Sequence, residues 1–66
     1  MRISVNGEEM EIEQGLTLRQ FLQARETAID SVIVEYNGQI VSHERWSALT
    51  LQEGDSVEVL VFLGGG

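Results

Sequence analysis

The chain has 66 residues, no cysteine, one histidine and a formal net charge of −7, from eleven acidic and four basic residues. A domain of this size buries only about 60% of its unfolded surface, so we expect one domain without an enclosed catalytic pocket. Without cysteine there are no disulfides, and a metal site would need carboxylates almost alone, so we expect no bound metal or cofactor. The acidic balance argues against nucleic-acid binding and favours a basic face on a protein partner.

Hydropathy gives no sign of a membrane or export segment. The sequence has no apolar run near the roughly 18 residues of a membrane span, and no basic-then-apolar leader. We therefore expect a cytoplasmic chain without membrane contact, and a monomer when it is free.

The start of the chain alternates apolar and polar residues, which predicts a β-hairpin. The apolar positions on either side of its turn are Met1, Ile3 and Val5, then Met10 and Ile12. Between them Asn6-Gly7 is a strong signal for a two-residue turn. The returning strand has one solvated, acidic face.

A helix is predicted next. Thr17 and Gln20 have the spacing of a capping box, in which each side chain bonds the backbone of the other residue. Leu18, Phe21 and Leu22 follow at helical spacing and indicate one apolar face that packs on a sheet.

The second half of the chain begins with a β-branched run, Val32–Tyr36, whose consecutive apolar residues predict an interior strand. A second Asn-Gly pair, Asn37-Gly38, predicts a turn into a short strand at residues 39–41. Ser42 is then expected to cap a brief helical turn.

Two aromatic side chains near that turn have alternative roles to compare, Trp46 as a ligand platform and His43 as a catalyst. Trp46 is better explained as a residue that closes the open end of a small core. His43 is interpreted as solvated, since no acid or nucleophile lies at a spacing that would support catalysis. Residues 53–55, Glu-Gly-Asp, then predict a turn.

The last strand places Val57, Val59 and Val61 on one face, with Glu58, Leu60 and Phe62 on the other. If the valine face packs on the helix, Leu60 and Phe62 are exposed, and exposed apolar patches commonly mark interfaces. We predict Leu60, Phe62 and Glu58 as partner-binding residues. The alternative is a bulge or twist that turns one apolar side chain inward.

Three glycines, Gly64, Gly65 and Gly66, close the sequence. At an average usage of roughly 7%, three consecutive terminal glycines arise by chance only about once in several thousand chains. Because glycine has no Cβ, such a tail can enter a slot too narrow for side chains. We predict a domain at residues 1–63 and a flexible tail at 64–66 that delivers the carboxylate of Gly66 to another protein.

The predicted order is hairpin, helix, strand, short returning strand, helical turn and final strand. In so short a chain, both hairpin and helix are buried by an α+β fold, in which a mixed sheet of four to five strands packs on one helix. The first and last strands would then be parallel neighbours at the centre of the sheet.

This order, ending in a strand that leads to Gly-Gly, resembles the ubiquitin-like β-grasp sulfur carriers. More narrowly, residues 37–41 (Asn-Gly-Gln-Ile-Val), followed by Glu44, Trp46, the turn at 53–55 and a valine-rich strand, are similar to the ThiS family of thiamine biosynthesis. The resemblance covers essentially the whole chain. That family usually has Pro-Arg where this chain has Ser42-His43. The runner-up is MoaD, the small subunit of molybdopterin synthase, which tends to be longer and to carry prolines before its final Gly-Gly.

The resemblance implies a carrier and not an enzyme. A ThiF-type adenylyltransferase would adenylate the carboxylate of Gly66, sulfur from a cysteine desulfurase persulfide would replace the adenylate, and the thiocarboxylate would donate sulfur to thiazole synthase (ThiG). Two other classes stay open: a MoaD-like donor for molybdopterin, and a ubiquitin-like binding module or protein modifier. An autonomous enzyme is not expected, because the sequence shows no catalytic residues in the form of a nucleophile-base pair or metal cluster.

Overall fold

The structure is a computed structural model that describes residues 1–25 and 31–61. Its elements are β1 (Arg2–Val5), β2 (Glu8–Glu11), α1 (Leu18–Ala24), β3 (Val32–Tyr36), β4 (Gln39–Val41), a 3-10 turn (His43–Arg45) and β5 (Ser56–Val61). Predictions that concern Phe62, the domain end at residue 63 and the tail at 64–66 lie outside the described residues.

The five strands form one mixed sheet in the order β2-β1-β5-β3-β4. β1 and β5 pair in parallel, whereas the other neighbours are antiparallel. The prediction of parallel first and last strands at the centre is therefore confirmed, and β5 is the middle strand. β3 has a neighbour on each side, as its apolar run indicated.

Both Asn-Gly turns adopt the predicted two-residue hairpin geometry. The φ angles are 51° and 85° at Asn6-Gly7, and 49° and 87° at Asn37-Gly38. Positive φ at both central residues defines the type I′ turn, whose twist matches that of the strands it joins. These two turns fix the register of β1 with β2 and of β3 with β4.

The capping box starts α1 as predicted. Thr17 Oγ1 accepts a hydrogen bond from the Gln20 backbone N–H at 3.1 Å, and Gln20 Oε1 accepts one from the Thr17 N–H at 2.9 Å. Leu18, Phe21 and Leu22 are all buried in the core. The helix therefore covers one face of the sheet with the three residues that its spacing indicated.

Trp46 is fully buried and completes the core, which confirms its predicted role. Its indole Nε1–H donates to the Val41 carbonyl at 3.1 Å, so the one polar atom of the ring has a partner. Ser42 is at the N-cap of the 3-10 turn, but its side chain makes no capping bond, and the prediction that it caps this turn is wrong in that respect. Its backbone carbonyl closes the turn instead, by accepting from the Arg45 N–H at 3.0 Å.

Candidate functional site

Strand β5 leads toward the terminal glycines of the chain, and the burial of its valines decreases from Val57 to Val61. Val57 is 0% exposed, Val59 is partly buried and Val61 is 57% exposed. A helix of seven residues such as α1 is about 10 Å long, whereas a strand of six residues spans about 20 Å. The seven helical residues are therefore too few to cover the whole of β5. The condition stated above, that the valine face packs on the helix, is met by Val57, which is buried in the same core as the helix, and not by Val61.

The opposite face of β5 carries the predicted partner-binding residues. Leu60 is 53% exposed and Glu58 is exposed, so the expectation of an exposed Leu60 is confirmed. Leu60 lies opposite Ile33 on β3, and Glu58 lies opposite Glu35. Directly opposed residues of antiparallel strands share one face of the sheet. We call Leu60, Glu58, Ile33, Glu35 and the next residue in line, Ile40, the outer face.

Ile40 extends the outer face onto the edge strand. It lies opposite Glu35 in the pairing of β3 with β4 and is 71% exposed. Apolar and acidic side chains are therefore mixed across three neighbouring strands, exposed on β4 and β5 and partly buried on β3. Such a surface suits a partner that offers apolar contacts together with basic groups.

A buried carboxylate holds the start of β5. Asp55 is 7% exposed and accepts hydrogen bonds from the Tyr36 hydroxyl at 2.5 Å, the Asn37 Nδ2 at 3.2 Å and the Gln52 backbone N–H at 2.7 Å. These donors satisfy a group that would otherwise be costly to bury. The bonds tie the β3–β4 hairpin to the turn that precedes β5.

Burial and the contact with Asp55 also change the pKa of Tyr36. Burial, together with the hydrogen bond to Asp55 and its negative charge, raises the pKa of Tyr36 to about 12. The hydroxyl thus remains a protonated donor throughout the neutral range. Sequence position alone indicates only a turn residue at Asp55, because nothing local in the sequence pairs it with Tyr36.

The described ranges 1–25 and 31–61 contain neither a cluster of metal-binding side chains nor a membrane-spanning helix. No three His, Asp or Glu side chains there come together as a candidate metal site. His43 is exposed, and its ring centroid lies 4.3 Å from that of Trp46. In the same ranges, no helix combines the length and the apolar character needed to span a bilayer.

A mixed sheet around one helix, with parallel first and last strands at its centre, defines the ubiquitin-like β-grasp class. Within that class, residues 3–66 match the model of the ThiS family. The chain therefore belongs to the ThiS family.

The solved structures agree in fold and in length. A crystal structure of a thiamine biosynthesis protein (ThiS) from Geobacter metallireducens is 36% identical, has a TM-score of 0.87 and is covered completely, as is this chain. A solution NMR structure of a thiamine biosynthesis protein from the same organism has a TM-score of 0.82, with 88% of it covered. At this identity the likeness concerns sequence as well as fold.

Two of the curated relatives are much longer proteins. Those named thiazole synthase are 42% identical in Magnetococcus marinus and 34% identical in Paramagnetospirillum magneticum, over 100% of this chain in both cases. The chain spans only about a fifth of the length of each, 20%. An uncharacterized protein of Trieres chinensis, ycf40, is 24% identical over 94% of the chain.

Proposed function

We propose that this chain is a sulfur carrier for thiamine biosynthesis, with sulfur held as a thiocarboxylate on Gly66. The observation that carries the proposal is the family match, which runs through residue 66. The names of the Geobacter metallireducens proteins support the pathway. The chain would act as the co-substrate of other enzymes and would itself catalyse nothing.

Activation has to come first, because a carboxylate is an anion at neutral pH and a poor electrophile. A ThiF-type adenylyltransferase would join the Gly66 carboxylate to the α-phosphate of ATP, with release of pyrophosphate. The resulting acyl adenylate has AMP as a good leaving group. Glycine fits this position because the tail has to enter an enzyme slot without side chains.

Sulfur transfer would follow in two steps. The terminal sulfur of a persulfide, supplied by a cysteine desulfurase, attacks the acyl carbon, and AMP leaves. A second thiol then reduces the acyl disulfide, which leaves the thiocarboxylate on Gly66 and a disulfide between the two thiols. The chain has no cysteine, so it offers no thiol of its own to hold the sulfur.

The thiocarboxylate would then serve a thiazole synthase of the ThiG type. Its sulfur is a soft nucleophile suited to attack on an imine. The relatives named thiazole synthase contain a segment that matches this chain along its whole length, which favours thiazole over molybdopterin as the destination of the sulfur. ATP-dependent activation also fits the cytoplasmic location that we propose.

The outer face would dock the activating enzyme. Leu60 offers an apolar contact and Glu58 an acidic one at the end of the strand that leads to the tail. From Val61, the five residues to Gly66 can reach at most about 17 Å when extended. A partner seated on Leu60 and Glu58 would therefore have its nucleotide within that distance. We place Phe62 and the glycines 64 and 65 in the same contact.

Mass spectrometry tests the proposal directly. Incubated with ATP, a ThiF-type enzyme, a persulfide donor and a reducing thiol, the chain should gain one sulfur in place of one oxygen. Fragmentation should locate the change on Gly66. Label at any other residue, or no label in the complete mixture, would refute the proposal.

A one-residue truncation is the matched control. Removing Gly66 keeps a glycine carboxylate but withdraws it by about 3.5 Å, and a displacement of even 1 Å can reduce a rate about a hundredfold. The truncated chain should fold like the native one and accept no sulfur. Equal loading of both chains would mean that the position of the carboxylate does not matter.

A further inference from the structure

The middle strand β5 is flanked by the two Asn-Gly turns, and the asparagine of each turn makes two hydrogen bonds to β5. The backbone N–H of Asn6 donates to the Val57 carbonyl at 2.9 Å, and that of Asn37 donates to the Ser56 carbonyl at 2.8 Å. These bonds continue the ladders of β1 and β3. Each asparagine then adds a side-chain bond to the same strand.

On the β1 side of β5, the hydrogen bond to the Asn6 side chain is the described contact nearest in sequence to the terminal glycines. The described pairing of β1 with β5 ends at Val5↔Val57, because the chain turns away at Asn6. The next N–H on that side of β5 belongs to Val59, and it donates to Asn6 Oδ1 at 2.8 Å. A side-chain oxygen thus replaces the backbone carbonyl that a longer β1 would have supplied.

The side chain of Asn37 likewise accepts a hydrogen bond from a backbone N–H at the other end of β5. Its Oδ1 accepts from the Ser56 N–H at 2.8 Å, at the first residue of the strand. The two turns therefore use one residue type, one turn geometry and one kind of bond. They differ in which end of β5 they hold, and Asn37 also donates from its Nδ2 to Asp55 at 3.2 Å.

Turn geometry alone does not require asparagine at these positions. Glycine reaches a positive φ without strain and would form the same turn. What asparagine adds is an amide oxygen directed at an N–H of β5, and at Asn6 that N–H lies seven residues before Gly66.

We infer that Asn6 is a positioning residue for sulfur transfer, because its side chain holds Val59 on the β1 side of β5, where β1 itself no longer pairs, while β3 pairs with the other side as far as Val61. This inference rests on the proposed function. Without the bond, the end of β5 would sample more directions, and a smaller fraction of chains would present the tail in line with the enzyme. A smaller competent fraction lowers apparent affinity in proportion. Once the enzyme holds the tail, the chemical steps should proceed as before.

The test compares the native chain with Asn6→Gly and Asn37→Gly. Both variants keep the turn and lose one side-chain bond to β5. Asn37→Gly also loses the bond to Asp55, so it is the stricter control for a general loss of stability. Amide hydrogen exchange at Val59 should accelerate about fivefold in Asn6→Gly, the effect of one lost hydrogen bond, and stay near native in Asn37→Gly. In adenylation by the ThiF-type enzyme, the KM for the carrier should rise at least about threefold in Asn6→Gly with kcat little changed.

Asn6→Asp provides the rescue. Aspartate tolerates positive φ and keeps an oxygen acceptor, so both the exchange rate at Val59 and the KM should return toward native values. All chains are assayed at a temperature at which circular dichroism shows them folded. A general loss of stability would raise KM in Asn37→Gly as well, whereas positioning by Asn6 would not.

Each remaining outcome overturns the inference. If exchange at Val59 does not change in Asn6→Gly, the side-chain bond does not hold the strand. If exchange accelerates but the KM equals that of Asn37→Gly, the bond is structural only. If the native chain is not loaded at all, the proposed function fails, and the inference fails with it.

Discussion

Alkaline pH should destabilise this domain through one side chain, the hydroxyl of Tyr36. The sequence has a single tyrosine, no cysteine and no lysine, so its only side chain with an ordinary pKa between about 8 and 12 is Tyr36. In the folded chain, burial and the contact with Asp55 raise that pKa from 10.0 to about 12. The unfolded chain loses the proton near the ordinary value. Between these two pH values the folded state holds more protons than the unfolded state, so stability falls as pH rises.

The expected magnitude follows from the hydrogen bond. A bond to a charged group contributes about 1.5–3 kcal/mol. Because Tyr36 is only partly buried, water can replace part of the contact, and we expect a value near the low end, about 1.5 kcal/mol. Below about pH 10 this stabilisation is fully present. It should disappear as the pH approaches about 12, with a slope of at most about 1.4 kcal/mol per pH unit.

Urea unfolding followed by the fluorescence of Trp46 provides the assay, with Tyr36→Phe as the matched variant. With an m-value of about 1 kcal/mol/M, the variant should unfold about 1.5 M earlier than the native chain near pH 9. Its midpoint should then stay constant toward pH 12, while the native midpoint falls to meet it. Absorbance of the tyrosinate in the folded chain gives the pKa independently. A parallel decline in both chains, or a tyrosine that titrates near 10, would refute the role assigned to the Asp55 contact.

Four further outcomes are expected. Leu60→Glu should weaken binding to the ThiF-type enzyme at least tenfold, about 1.4 kcal/mol, without unfolding the domain, because Leu60 is half exposed. Ile40→Glu, farther from the tail, should weaken it less in the same titration, and the reverse order would move the contact to β4. Thr17→Ala removes the bond to the Gln20 N–H and should lower the free energy of unfolding by about 1 kcal/mol, and an unchanged urea midpoint would show that the capping box contributes nothing. Trp46→Ala should lower it by about 3–5 kcal/mol, and a native urea midpoint, followed by far-ultraviolet circular dichroism, would contradict its place in the core.

The sequence predicted those parts of the fold whose causes are local. The two hairpin turns depend on adjacent Asn-Gly pairs, and the capping box joins residues three positions apart. The burial of Leu18 and Leu22 follows from helical spacing alone. In each case the interacting atoms lie within one turn of chain, so the residue types and their spacing are sufficient.

The parts that were missed depend on distant partners. Tyr36 and Asp55 are 19 residues apart, and Asn6 and Val59 are 53 apart. Only the order of strands brings either pair together, and no local pattern marks them. The exposure of Val61 has a related reason. Alternation assigns a residue to a face, but the elements that pack on that face decide how much of it is buried.

The acidic residues of the outer face explain how the chain tolerates an exposed apolar strand end. Leu60 and Val61 are each more than half exposed at the end of β5, and exposed apolar patches favour association between copies. Glu58 and Glu35 lie directly opposite each other on the face that carries Leu60. Two copies that met through this face would bring two carboxylates from each chain together, which is repulsive, whereas a basic partner would neutralise them. We therefore expect the same carboxylates to keep the free chain monomeric and to direct Leu60 toward an enzyme of opposite charge.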